Sequence, residues 1–177
     1  MLVLEHMKQL VKACNPQTRE EWQELWSQIK PVKFGNKVNW LDADQYTLAD
    51  YQIPLNAYLV VLRVETYTVN QTSGATDYGM YEPPPMNYAF WQYTPYGTGT
   101  VSYPLTDSTA RSQLALDSDE FLIFSGGDGM NLNLIGDFVA SPDGDTRQVR
   151  TLVYGYDCGP QVVERIGAGQ AIIAPSS

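Results

Sequence analysis

The clearest pattern along the chain is Ala57 to Leu62, six residues whose only polar side-chain group is the Tyr58 hydroxyl. Polarity returns at Arg63, Glu65 and Thr66. A continuous apolar run that turns into alternation predicts a strand covered on both faces at its start and on one face beyond, so residues 56–69 are expected to form the central strand. Upstream, the period changes. Leu2, Val3, Leu4, Met7, Leu10, Val11 and Cys14 recur at helical spacing with Glu5, Lys8, Gln9 and Lys12 on the opposite face, which predicts an amphipathic helix ended by Asn15-Pro16. Thr18-Arg19-Glu20-Glu21 has the form of a capping box, and the helix it opens would carry Trp22, Leu25, Trp26 and Ile29 on one face and stop at Pro31.

The remaining segments are short. Residues 32–40 read as an irregular strand and 41–51 as a linker with a helical turn. Residues 70–79 form a polar loop, and 80–97 hold six aromatics and four prolines, a composition that predicts an extended surface or edge element. Strands are expected at 114–116, 121–124, 132–138, 149–156, 162–166 and 170–173, separated by turns such as 125–129 and 142–145. Many short strands with no helical pattern between them predict a mainly β fold, an antiparallel β-sandwich or jelly-roll-like barrel with an N-terminal helical hairpin. The expected division is a helical arm and connecting segment at 1–40 and an acidic β domain at 41–177. Two short helices cannot bury both tryptophans and their aliphatic neighbours against each other alone, so the hairpin either packs on its own sheet or docks on a partner.

Charge sharpens that division. The net charge is −9, yet residues 1–40 carry +2 and residues 41–177 carry −11, and all lysines lie in the first segment. Such a body repels nucleic acid, which needs clustered cations. The opening residues lack a basic region before their apolar run and Glu5 interrupts it early, so no signal peptide is expected; no apolar run is long enough for a membrane span.

Catalytic equipment is sparse. His6 is the single histidine, and Cys14 and Cys158 are the two cysteines, so neither a histidine-based triad nor an ordinary zinc ligand set is expected; the plainest reading is two reduced thiols. The acids at 117–120 and 143–145 lack the spacing of a calcium loop, and 126–131 reads as a tight turn. No phosphate loop, dinucleotide fingerprint or nucleophile elbow is present. Hence no catalytic, cofactor or metal residue is assigned, and the protein is expected not to be an enzyme. The remaining working surfaces are the helical face, with Leu4, Met7, Leu10, Trp22 and Trp26, and the aromatic run, with Tyr81, Tyr88, Trp91, Tyr93 and Tyr96.

An amphipathic arm, an acidic body without lysine, and the phrases NAYLVVLRVETYTVN, GMYEPPP and FWQYTPYGTGT resemble accessory virion proteins of tailed bacteriophages: decoration or cement proteins, head-fibre bases and adaptors. The resemblance is one of general character over most of the chain. It implies a non-enzymatic structural role in the virion, with assembly in the host cytoplasm, contact with capsid or tail subunits or with further copies of the chain, and no nucleic-acid or membrane partner. The alternative is a glycan-binding β-sandwich module in which Tyr88, Trp91, Tyr93 and Tyr96 stack on sugar rings.

Overall fold

The structure, a computed structural model, describes residues 2–78, 85–94, 101–104, 113–115, 122–125, 130–166 and 171–173. It is mainly β. Two helices, α1 (Leu2–Ala13) and α2 (Arg19–Ser27), precede β1 (Ile29–Phe34), β2 (Lys37–Trp40), β3 (Asp44–Ile53), β4 (Tyr58–Asn70), β5 (Thr76–Tyr78), β6 (Met86–Thr94), β7 (Val101–Pro104), β8 (Gln113–Ala115), β9 (Leu122–Ser125), β10 (Met130–Phe138) and β11 (Arg147–Cys158). A third helix, α3 (Pro160–Ile166), and β12 (Ala171–Ile173) complete the set.

The strands form two sheets. In the larger the order is β1-β11-β4-β9-β12, with β2 also on β11 and β5 and β8 also on β4; in the smaller it is β3-β10-β6-β7. All pairs are antiparallel except β9 with β12. Trp40, Leu59, Val61, Val64, Phe124, Val149 and Val153 of the large sheet meet Leu48, Ile53, Trp91, Leu132, Leu134 and Phe138 of the small one in a shared core. On the other side of the large sheet, Val60, Ile123, Tyr156 and Cys158 pack with Met7, Leu10, Val11, Cys14, Leu25, Val162 and Val163 of the helices. Three layers result: helices, large sheet, small sheet.

The central strand serves both cores. Leu59 and Val61 face the small sheet while Val60 faces the helices, as the apolar run predicts. Tyr154 pairs with Arg63 but Gly155 with Val61, so Leu62 is an extra residue on β4. This bulge reverses the alternation, and the inward positions become Val64, Thr66 and Thr68. Past it the strand has lost the helix cover, and Glu65, Tyr67 and Val69 are half-buried.

Several expectations need correction. The second helix ends at Ser27 and not at Pro31, which lies in β1 with Ile29. Residues 86–94 of the aromatic run are not an edge element: β6 is paired on both sides, by β10 and β7, with Ala89 and Trp91 buried. Residues 41–51 are not a linker with a helical turn: most belong to β3, where a bulge at Leu48 places Leu48 and Ala49 both inside and hides the alternation. Residues 162–166 are not a strand but the body of α3, because Gly159 ends β11 and Pro160 begins the helix. The irregular strand expected at 32–40 is present as β1 and β2, which run consecutively along β11, so the boundary at residue 40 falls inside the large sheet. The helices take the first of their two expected placements, packed on their own sheet. Met7, Leu10, Val11 and Leu25 are buried against the sheet and α3, so deleting residues 1–30 would uncover Val60, Ile123 and Tyr156.

Between β1 and β2 the chain makes a local stitch. Asn36 donates from its backbone N–H to Leu48 of the small sheet, while its carbonyl accepts from Thr151 of the large sheet. Its side-chain amide reaches the Thr47 carbonyl at 3.3 Å. One residue thus bridges the two sheets along an edge.

Candidate functional site

The helix layer is positioned by local signals. Asn15 takes a left-handed conformation (φ 52°) at the end of α1, and Pro16 follows. Thr18 Oγ1 accepts from Glu21 N–H at 3.1 Å, as the capping box requires. The return bond is displaced by one residue: Glu21 Oε2 accepts from the N–H of Gln17, not Thr18, at 2.9 Å. The same carboxylate pairs with Arg165 of α3 at 3.2 Å, tying α2 to α3. Its pKa is lowered, chiefly by the Gln17 N–H and then by Arg165.

With Leu25 and Ile29 turned inward, Trp22 and Trp26 are left half-buried at the surface, edge to face with ring centroids 5.2 Å apart. Recesses flank Trp22. One, of about 460 Å³, is lined by Val11, Lys12 and the segment from Asn15 to Arg19. Another, of about 340 Å³, lies among Lys8, Trp22, Gln23 and Trp26. Leu4 is 50% exposed on the same helix as Lys8 and Lys12. The arrangement is an aromatic pair with a cationic rim, suited to contact with an acidic or amphipathic protein surface.

The expected contact residues therefore separate. Leu4, Trp22 and Trp26 are available at the surface, whereas Met7 and Leu10 are 6% and 1% exposed and belong to the core. Trp91 is fully buried against Phe124, with ring centroids 5.3 Å apart, and cannot take part in a surface platform. Residues alternate across a strand, and the position of Trp91 on β6 faces the large sheet. Tyr88 and Tyr93 occupy β6 positions opposite Asp137 and Leu132. Tyr81 and Tyr96, like the acids at 117–120 and the 126–129 turn, lie outside the described residues.

Two polar pairs that no sequence spacing announces join distant elements. Arg147, 5% exposed, donates from Nε to Asp77 Oδ2 at 2.6 Å and from a terminal nitrogen to Ser141 Oγ and the Pro142 carbonyl at 2.7 and 2.8 Å. Thr68 Oγ1 donates to the other Asp77 oxygen at 2.6 Å. At the other end of the core, Tyr51 of the small sheet donates to Asp157 of the large sheet, and Phe34 stacks on the Tyr51 ring with centroids 4.5 Å apart. The second oxygen of Asp157 is buried without a hydrogen-bond partner among the described residues.

Burial raises the Asp157 pKa against the lowering influence of Tyr51 and Lys30. Tyr51 is raised too, by burial first and then by its bond to Asp157. Because the folded state holds the Asp157 proton more tightly than the unfolded chain, this contribution to stability is complete below about pH 3.9 and is lost as pH rises through the folded value. Asp157→Asn is therefore expected to match or exceed the parent in stability at pH 7, with the difference shrinking toward pH 4 in urea titrations. Tyr51→Phe leaves both carboxylate oxygens without a donor and should cost about 1–3 kcal/mol at pH 7, and less in a chain that also carries Asp157→Asn.

Cys14 and Cys158 are buried free thiols in the helix-side core, and burial raises both. Among the described residues no group of three His, Cys, Asp or Glu is placed to hold a metal ion. No helix among them is long and apolar enough to cross a membrane. Comparison with models of known families, with curated proteins and with solved structures finds no match for the chain.

Proposed function

We propose that the chain is a non-enzymatic structural subunit that binds neighbouring subunits of a larger assembly through its helix layer, in the manner of a virion decoration, cement or adaptor protein. The observation that carries this reading is the Trp22–Trp26 pair, rimmed by Lys8, Lys12 and Arg19, with Leu4 exposed on the helix that carries Lys8 and Lys12, on a chain whose net charge is −9. Tryptophan and arginine are among the residues from which protein contacts draw most of their binding energy.

The strand order supports a finer reading of the fold as a jelly roll. Counting β1 with β2 and β8 with β9 as single strands, and setting aside the short β5 and β12, the large sheet runs first-eighth-third-sixth and the small sheet second-seventh-fourth-fifth. That is the order of a hairpin rolled into two Greek keys, an architecture used by viral capsid and lectin domains.

The test is gradient sedimentation of lysate from cells that make the assembly, comparing the parent with Leu4→Asp and with Lys12→Glu/Arg19→Glu, all substitutions at exposed positions. The parent is expected to travel with a large particle and the variants to remain near the top as folded protein. A parent that sediments as a lone monomer, or helix-layer variants that stay on the particle, would overturn the reading.

A further inference from the structure

The helix layer covers only one end of the large sheet's outer face. Beyond it, strand register builds two rows across β1/β2, β11 and β4. In one, Lys33 stands opposite Tyr154, which stands opposite Arg63; in the other, Lys37 stands opposite Arg150, which stands opposite Tyr67. The Lys33 ammonium lies 5.9 Å from the Tyr154 ring centroid, and the Arg150 guanidinium 5.9 Å from that of Tyr67. Lys33 and Lys37 are exposed, and Arg150, Leu152, Tyr154 and Tyr67 are half-buried. A shallow recess of about 190 Å³, lined by Pro31, Lys33, Leu62 and Tyr154 among others, adjoins the first row.

Lys37 directly opposite Arg150 is a like-charge pair, and such pairs weaken a sheet. Lysines on an edge strand deter indiscriminate strand pairing, which accounts for Lys33 and Lys37. Arg150 on the inner strand β11 donates from Nε to Gln148 Oε1 at 2.7 Å, and its strand position shares the face of Lys37, which stands opposite it. Glu65, half-buried on β4 between Arg63 and Tyr67, is an acid on the same face, set against Lys33, Lys37 and Arg150. In a protein of net charge −9, a face on which cations exceed acids and alternate with tyrosines is suited to carboxylates. The chain itself supplies such a surface. Asp42, Asp44 and Asp50 are exposed on and beside β3, the edge strand of the small sheet.

We propose that the cation–tyrosine face of the large sheet binds the acidic β3 edge of a second copy of the chain. The contact joins two different surfaces, so it is head-to-tail and propagates into a ring or a filament. It rests on the reading of the protein as an assembly subunit and names one of its neighbours.

Sedimentation velocity of the purified full chain tests it. The parent should associate at low ionic strength and dissociate as salt rises, because the contact is between exposed charges. Lys33→Glu/Lys37→Glu and, separately, Asp44→Lys/Asp50→Lys, all at exposed positions, should each be monomeric with melting temperatures close to the parent's. Mixing the two variants should restore association, since each retains the complement of the other. The proposal is overturned if the parent is monomeric at low salt, if either variant associates like the parent, or if the mixture stays monomeric. Association that ignores both pairs yet is lost with Lys12→Glu/Arg19→Glu would refute this contact and leave the helix-layer function standing. A monomeric parent that binds a polyglutamate peptide would assign the face to a different acidic partner and refute self-association.

Discussion

Gly35→Ala is expected to destabilise the protein by about 3 kcal/mol, at the upper end of what overpacking costs, seen as a fall in melting temperature of roughly 6 to 12 °C. A Cβ at this position would lie 1.8 Å from the Thr151 carbonyl oxygen and 2.7 Å from its carbon, both backbone atoms of β11. No rotamer change relieves that contact, so the edge strand must move away. The movement would also break the Asn36 stitch, because the Thr151 N–H donates to the Asn36 carbonyl at 3.1 Å. Gly144→Ala is the control. Gly144 has a positive φ of 67° but nothing within 4 Å of an added Cβ, so only the conformational cost of about 1–2 kcal/mol applies. Equal losses for the two variants would refute the steric account.

The second large effect concerns Arg147→Met, which should cost about 3 kcal/mol at pH 7, the lower end of the range for breaking a buried ion pair, because the Asp77 side chain is 29% exposed. The loss includes the bonds to Ser141 and Pro142. Asp77 has a lowered pKa: burial acts to raise it, and the hydrogen bonds from Thr68 and Arg147 outweigh burial. Its stabilisation is therefore present above about pH 3.9 and is lost as pH falls through the depressed folded value. Acid titration of the parent should show this loss, and Arg147→Met should show less of it. An Asp77→Asn/Arg147→Met double variant that loses the full sum of the single losses would show that the two groups do not act as a pair.

Local patterns announced the central strand, the two opening helices and the stop of the first, because apolar periodicity and capping residues act within a few positions. The second helix ends at Ser27, short of the expected stop at Pro31, because Ile29 and Pro31 pair with Cys158 and Tyr156 in the sheet. Position 48 was hidden by a bulge that put two adjacent apolar residues inside, and Val162 and Val163 favoured a strand in the absence of their context after Pro160. The rest depends on partners far away in the chain. Tyr51 and Asp157 are 106 residues apart, and Arg147 and Asp77 70, so no spacing marks them. Lysine enrichment before residue 40 was visible, but its split between the helix layer and a sheet edge required the pairing of β1 and β2 with β11. Trp91 looked like part of an exposed aromatic run because composition does not reveal which face of β6 is inward. The cation–tyrosine rows were equally hidden, being written across three strands.

The neighbour of β1 and β2 is β11, the last long strand to be synthesised. Until the ribosome has released residue 158, β1 with its edge lysines and one side of β4 lack their strand partner, and α1 and α2 lack Tyr156 and Cys158 from the sheet surface they pack on. Closure is thus a late event with large loop entropy, which predicts slow folding and an interval in which the nascent chain is open to aggregation. Over that interval Lys30, Lys33, Lys37 and Pro31 keep the waiting strand from joining another chain.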